Sequence, residues 1–205
     1  MGAGGSLDDE RFRRAIAAID ASNADDPNRI TVRGEERPKE LAHSELVTAW
    51  VHRLDPHASE PLLLAARAHH VRRWTIPRAS YPTGRPGYLR WRRALHEQHA
   101  EDVARILTDV GYDADTIARV QDIVRKRRLG KDPEVQVFED ALCLVFLETQ
   151  LAELAARLDD DKMLDVAAKT IRKMSPPALD LALTLDLTDT QLAFLREAAT
   201  RASTG

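Results

Sequence analysis

Two adjacent histidines, His69 and His70, end the alanine-rich segment "LLLAARAHH", and arginines follow them directly. From Ala65 to Arg93 the chain contains no acidic residue, although its formal net charge is −3. Neutral imidazole is a ligand for divalent transition metals, and the planar arginine fork binds phosphate and carboxylate groups through paired hydrogen bonds. The segment therefore predicts a metal centre beside an anion-binding site.

Further candidate ligands fall on apolar helix faces. His43 lies one helical turn before Val47, and His99 one turn before Val103. His70 shares the apolar face of its helix, and the side chain of His69 points about 100° away around the same helix. His96 lies nearer a polar edge. Three predicted helices therefore aim a histidine inward, with His69 as the alternative to His70.

Asp140 directly precedes the apolar run "ALCLVFL" and shares a helical face with Leu144. An unpaired buried carboxylate costs several kcal/mol, so this side chain needs an arginine or a metal as partner. We predict that the inward histidines and Asp140 converge on one or two divalent ions, with Fe, Mn, Ni, Co and Zn as candidates. A hydrogen-bonded cluster without metal is the alternative.

The arginines and aromatic residues of the acid-free segment are the candidate substrate contacts. Arg72 and Arg73 would stabilise negative charge in a transition state. The predicted substrate-binding residues are Arg78, Tyr81, Arg85, Tyr88 and Arg92. Alternatively, the arginines pair with acidic residues elsewhere and the aromatic rings belong to the core.

Helical periodicity along the chain predicts an all-α, single-domain globular bundle over residues 7–205, preceded by a flexible leader at 1–6. We expect residues 23–37 to form a polar loop and the nearly all-apolar helix 133–157 to lie at the centre. We further expect a helix from a Ser59 cap to about Trp74, and helices over 88–110 and 113–129 that Gly111 and Gly130 end.

Composition limits the classes of partner. The length of 205 residues favours a single hydrophobic core. The single cysteine, Cys143, favours a reducing cytosol. No run is long and apolar enough for a membrane span. Because the basic segment is short and the rest is acidic, we expect a small anionic or phosphorylated substrate rather than long nucleic acid.

The segments "LAHSELV", "LAARAHHVRR" and "FEDALCL" resemble the HD-domain superfamily of metal-dependent phosphohydrolases from about residue 40 to 150. The resemblance implies that His43, one histidine of the doublet and Asp140 bind metal, and that His96 and His99 lie where some members bind a second ion. The usual doublet aspartate is replaced by His70 or Val71. The sequence is therefore compatible with a one-metal site and also with a descendant of the superfamily that has lost its activity.

The segments "HHVRRWTIPRASYP", "GYLRWRR" and "VFEDALCLVFLE" are similar to an uncharacterised family, some members of which carry a glutamyl-tRNA synthetase label. The letters K-M-S at 173–175 match a short synthetase signature. No Rossmann pattern accompanies them, so we interpret this segment as a helix end.

Three hypotheses follow. The first is a metal-dependent hydrolase of a small phosphate ester or nucleotide. The second is an HD-like non-haem iron oxygenase, which is favoured if both His96 and His99 bind metal. The third is a metal-free helical protein that binds an anion or another ligand.

Overall fold

A computed structural model describes residues 4–32, 34–155 and 160–203 of the chain. The described residues are mostly helical, as the sequence predicts, and their strands form a single antiparallel pair. In chain order the elements are α1 (Gly4–Ala24), β1 (Arg29–Val32), β2 (Glu35–Pro38), α2 (Lys39–Leu54), α3 (Glu60–Ala68), α4 (Gly84–Val110), α5 (Ala114–Val124), α6 (Pro133–Ala155), α7 (Asp160–Ile171), α8 (Pro176–Ala182) and α9 (Asp189–Ser203).

The β1–β2 hairpin corrects the prediction of a polar loop at 23–37. Arg29 pairs with Pro38 and Val32 with Glu35. In β1 the side chains alternate between exposed and half-buried, but the strand has four residues. So short an alternation gives little periodic signal, and the strands gain their stability by packing against α2.

Helix α3 begins where the sequence predicts, because the side chain of Ser59 accepts a hydrogen bond from the amide of Leu62 at 3.3 Å. It ends at Ala68, earlier than the expected end near residue 74. His69 and His70 start a turn that closes at Arg72, which has a left-handed φ of 54°. His69 and His70 therefore lie just beyond the end of α3 and do not continue its apolar face.

The loop before α4 is ordered by a close backbone approach. Gly87, in the first turns of α4, is buried against Pro82, and a Cβ at this position would lie 1.9 Å from the Pro82 carbonyl oxygen. Helix α4 begins at Gly84 instead of Tyr88. It ends at Val110, and Gly111, whose φ is 93°, caps it as the sequence predicts.

Helix α5 stops at Val124, so the expected continuation to Leu129 is wrong. The basic residues after it form turns in which Lys126 and Arg128 have left-handed φ angles of 56° and 63°. Such angles are uncommon outside glycine. The predicted helix end at the K-M-S letters is confirmed, since α7 ends at Ile171 and α8 begins at Pro176.

Helix α6 lies at the centre of the bundle, as its all-round apolar sequence predicts. It packs against α2, α3, α5, α7 and α8. Phe138, Leu144 and Leu147 of this helix are fully buried. Among the described residues, none of the helices has the length and apolarity that a membrane crossing requires.

Candidate metal centre

A cavity of about 290 Å³ opens between α2, α4, α6 and the turns that follow α3 and α5. Phe138 and Val145 of α6 form part of its apolar wall. Five of the chain's histidines line it, and they come from three parts of the chain: His43, His69, His70, His96 and His99. We call this space the histidine cavity.

Glu40 supplies the carboxylate of this cluster. It lies three residues before His43 on α2, so the two side chains share a helix face. Asp26 holds the start of α2, because its carboxylate accepts a hydrogen bond from the Glu40 amide at 3.0 Å. The Glu40 Oε2 atom lies 3.1 Å from His70 Nδ1 and 4.0 Å from His43 Nδ1. A buried carboxylate is thereby fixed among imidazoles.

Backbone contacts define which nitrogens are free. The His99 Nδ1–H group donates to the Val71 carbonyl oxygen at 2.9 Å, and the His69 Nδ1–H group donates to the Ala66 carbonyl oxygen at 3.1 Å. These contacts leave the Nε2 lone pair of each ring available. Among the described residues, the buried Nε2 atoms of His43 and His99 have no hydrogen-bond partner. Metal-binding histidines characteristically combine an anchored Nδ1–H with an open Nε2.

The environment keeps these imidazoles neutral. Burial lowers the pKa of His96 and of His99 to about 4. Burial also lowers the pKa of His43, although Glu40 partly opposes the shift. The pKa values of His69 and His70 lie well below the ordinary value, because burial is reinforced by His70 in the first case and by Arg73 in the second. Neutral rings can bind a cation without first losing a proton.

The donor set fits a divalent transition ion. One donor atom each from Glu40, His69 and His70 lie within 4.8 Å of one another. The ring centroids of His70 and His99 are 5.6 Å apart, so His99 adjoins the same group. Two imidazoles and a carboxylate form a set that Fe, Zn and related ions accept. We take Glu40, His69 and His70 as the inner donors, with His43 and His99 beside them.

Cations line the same cavity. The Arg73 Nε atom lies 3.6 Å from Glu40 Oε1, and the guanidinium stacks over Trp91 at 4.8 Å from the ring centroid. Arg92, Tyr88 and Lys126 also line the cavity. Burial lowers the pKa of Arg73 and of Lys126, and the carboxylates of Glu40 and Glu139, respectively, oppose the shift. The cavity therefore combines metal donors with cations suited to an anionic ligand.

The structure does not bring Asp140 to the histidines, which corrects its prediction as a metal ligand. Its carboxylate accepts hydrogen bonds from the Ser175 amide at 2.8 Å, the Ser175 hydroxyl at 2.6 Å and the Gln136 side chain at 3.0 Å. These contacts attach the start of α8 to α6. The buried carboxylate thus has partners, as expected, but the partners are structural.

Four of the predicted anion-binding residues also lie elsewhere. Arg72 is exposed and borders a separate surface cleft with Trp74. Arg78 donates to the carbonyl oxygens of Tyr81 and Pro82, both at 2.9 Å, and so orders the loop before α4. Tyr81 and Arg85 do not line the histidine cavity. Of the predicted anion-binding residues, Arg73, Tyr88 and Arg92 line the histidine cavity.

Sequence reasoning missed Glu40 and Lys126, and it placed His96 at a polar edge. The spacing of Glu40 and His43 was a usable signal, because residues three apart share a helix face. His96 and His99 have the same spacing on α4. Lys126 gave no such signal, since its position depends on a turn that the basic run "RKRR" conceals within an apparent helix.

A family model described as a domain of unknown function (DUF4202) matches residues 13–195. No curated protein matches the chain, and no solved structure matches it either. The description names neither an HD domain nor a synthetase, so the HD-domain relation stays a prediction. The match covers most of the chain, including every residue that lines the histidine cavity. The chain therefore belongs to the DUF4202 family.

Proposed function

We propose that the protein is a metal-dependent hydrolase of a small phosphate ester or nucleotide, acting in the reducing cytosol. The observation that carries the proposal is the pair of buried, unpartnered Nε2 atoms of His43 and His99 beside the Glu40, His69 and His70 donors. Buried polar atoms normally have partners, and a bound cation would supply one here. Inorganic or organic phosphate fits the cations that line the same space.

The chain's own residues would bind and orient the substrate. Arg73 and Arg92 would contact phosphoryl oxygens, and Lys126 would add a positive charge from the turn after α5. Phe138 and Val145 would exclude bulk water from one side. A divalent ion at this site would supply Lewis-acid activation of water and neutralise developing charge. As the bond from water oxygen to phosphorus forms, the ester P–O bond breaks and the leaving group takes up a proton.

The HD-domain relation is part of this proposal. Its support is the chain order, with His43 on one helix and the paired histidines at the end of a later one. Asp140 does not complete the pattern, since Ser175 holds its carboxylate. Glu40 would supply the carboxylate instead, from the same helix as His43.

A second candidate is a non-haem iron oxygenase. The observation that favours it is the donor set itself, because two histidines and one carboxylate form the set that such iron centres use. The neighbouring arginines and lysine favour the hydrolase, since charge neutralisation is needed for phosphate esters. Oxygen consumption by the iron-loaded protein would identify the oxygenase.

Elemental analysis of the untagged protein tests the metal. We expect about one equivalent of a transition ion after growth or refolding with Fe, Mn, Co, Ni or Zn. Glu40→Gln and His99→Ala should lower bound metal at least tenfold and abolish hydrolysis of a chromogenic phosphate monoester.

Asp140→Asn is the matched control, because it changes a buried carboxylate that bonds Ser175 instead of facing the histidines. It should keep the metal and lower the free energy of unfolding by about 1–3 kcal/mol. Wild-type protein with less than about a tenth of an equivalent of every ion tested would overturn the hydrolase and leave the metal-free binding protein.

A further inference from the structure

A second chamber of about 690 Å³ adjoins the histidine cavity. Tyr88, Arg92 and Lys126 line both spaces, and Leu142 and Phe146 of α6 form a shared apolar wall. The far side of the second chamber is formed by α7 and the turn after it. We call this space the basic chamber, after its five cationic lining residues Arg92, Lys126, Lys169, Arg172 and Lys173.

The basic chamber has a large excess of positive charge. Its five cations face one lining carboxylate, that of Glu139. Glu139 is buried and forms ion pairs with Lys126 and with Lys173, whose Nζ atom lies 3.3 Å from Oε1. Because one carboxylate serves two lysines, it cannot neutralise both. In the described part of the chain, no ion pair engages Arg92, Lys169 or Arg172, so the excess is not cancelled by neighbours.

The position of Lys126 indicates that the chamber is built rather than incidental. Its backbone has a left-handed φ of 56°, which an L-residue adopts at some cost. Its side chain is 19% exposed and lies on the boundary between the two spaces. Lysine is seldom buried to this extent unless it is paired or meets a ligand. Here the partner is Glu139. The other cations of the lining face the chamber.

We propose that the basic chamber binds a second phosphate group of the ligand, so that the substrate class is a small bisphosphate or short polyphosphate rather than a monophosphate. The inference rests on the proposed function in assigning the first phosphate to the histidine cavity. Arg92 and Lys126 lie between the two groups and contact both. Tyr88, Leu142 and Phe146 provide an apolar wall for the body of the molecule that joins them.

Binding of inorganic phosphates tests this directly. The full chain is titrated calorimetrically with orthophosphate, pyrophosphate and tripolyphosphate, in metal-free buffer at constant ionic strength. We expect tripolyphosphate to bind at least tenfold more tightly than orthophosphate, because it spans the cations of both spaces. Equal affinity for the two ions would overturn the inference.

Matched pairs of substitutions distinguish binding in the basic chamber from nonspecific attraction by the positive charge of the protein. Lys169→Gln/Arg172→Gln removes two cations that line the basic chamber and not the histidine cavity. Arg93→Gln/Lys131→Gln removes two exposed cations that line neither. The first pair should weaken tripolyphosphate at least tenfold and the second less than twofold. Equal losses in the two pairs would overturn the inference, since nonspecific attraction would explain both.

Metal content of the wild type distinguishes the two proposals. A metal-loaded protein that hydrolyses monoesters but shows no preference for tripolyphosphate overturns the second phosphate site alone. A protein that prefers tripolyphosphate and loses this preference on Lys169→Gln/Arg172→Gln, yet binds no metal, supports the basic chamber and overturns the hydrolase.

Discussion

At the residue scale, adjacent side chains in this protein have divergent roles because helix geometry turns them apart. Glu139 and Asp140 are both buried on α6, but their Cα–Cβ bonds point about 100° apart. Glu139 meets Lys126 and Lys173, and Asp140 meets Ser175. Burial raises the pKa of Glu139, but the two lysines outweigh it and the pKa is lowered. The carboxylate that faces the basic chamber is therefore ionised and paired.

Cys143 lies one turn beyond Glu139 and 4% of its surface is exposed. Burial, with Glu139 adding to the effect, raises the pKa of its thiol to about 12. Because the thiolate is the nucleophile, we expect the native thiol to react with a disulfide reagent at pH 8 roughly 10³-fold more slowly than an exposed cysteine. The measurement is the absorbance change after reagent is added to native protein.

The same sample in denaturant is the control, and it should release one equivalent per chain promptly because the sequence contains one cysteine. Reaction of the native protein at the denatured rate would show that Cys143 is accessible. A metal-loaded sample should react no faster than the metal-free one, since Cys143 does not line the histidine cavity.

At the element scale, α5 and α6 are joined by a charged clamp. Arg119 of α5 donates to both carboxylate oxygens of Asp132, at 2.6 and 2.9 Å, and it also contacts Glu134. The Asp132 carboxylate in turn accepts hydrogen bonds from the amides of Glu134 and Val135 in the first turn of α6. The clamp fixes the central helix and, through α5, the turn that carries Lys126.

Asp132 predicts a pH dependence of stability. The Arg119 hydrogen bonds lower its folded-state pKa to about 2, below the ordinary value for aspartate. A depressed carboxyl pKa contributes stability above the unfolded value near pH 4, and that stability is lost as pH falls through about 2. Asp132→Asn keeps the cap but lacks the charge. We expect it to destabilise the protein by about 1–2 kcal/mol at neutral pH.

Denaturant unfolding of both proteins between about pH 6 and pH 2 measures this effect. The difference in the free energy of unfolding should shrink towards zero as the wild-type carboxylate is protonated. Asp115→Asn, an exposed change on α5, should leave the profile of the wild type unaltered. A difference that stays constant across the range would show that the charge on Asp132 is not its source.

At the scale of the whole molecule, the candidate metal centre joins separate parts of the chain. Its donors come from α2, from the turn after α3 and from α4, and residues of α6 form part of the cavity wall. The formal net charge of the chain is −3, yet the polar side chains that line the histidine cavity and the basic chamber are mainly neutral imidazoles and cations. This separation of charge would draw anions to one face of an acidic protein.

A ligand that binds the folded state across several elements raises stability by mass action. At a metal concentration of about 100 times Kd the gain is about 2.7 kcal/mol, which corresponds to a Tm increase of roughly 5–10 °C for a chain of this size. We expect such a shift on addition of the ion found by elemental analysis. The measurement is a thermal melt followed by circular dichroism at 222 nm.

Two variants test whether the increase in Tm comes from metal bound at the candidate centre. Glu40→Gln should abolish the metal-dependent shift, since it removes the carboxylate of the donor group. Asp140→Asn should start from a lower Tm and keep the shift, because its carboxylate bonds Ser175. A shift of equal size in Glu40→Gln would place the ion elsewhere.

The amino-acid sequence determined the features that depend on local pattern. The helical class, the central place of α6, the Ser59 cap and the stop at Gly111 follow from periodicity and capping chemistry, which neighbouring residues specify. The inward faces of His43 and His99 follow from the same periodicity. An acid-free run beside paired histidines was enough to point to a cavity with both imidazoles and cations.

Tertiary structure alone decided which side chains meet. Glu40 contacts the cavity histidines because α2 starts on Asp26, and Lys126 lines the histidine cavity because the chain turns at its left-handed backbone. Asp140 is drawn away by Ser175, which lies 35 positions later in the sequence. A buried carboxylate takes the strongest nearby partner, and periodicity gives the face on which that carboxylate lies but not the residue that packs against it.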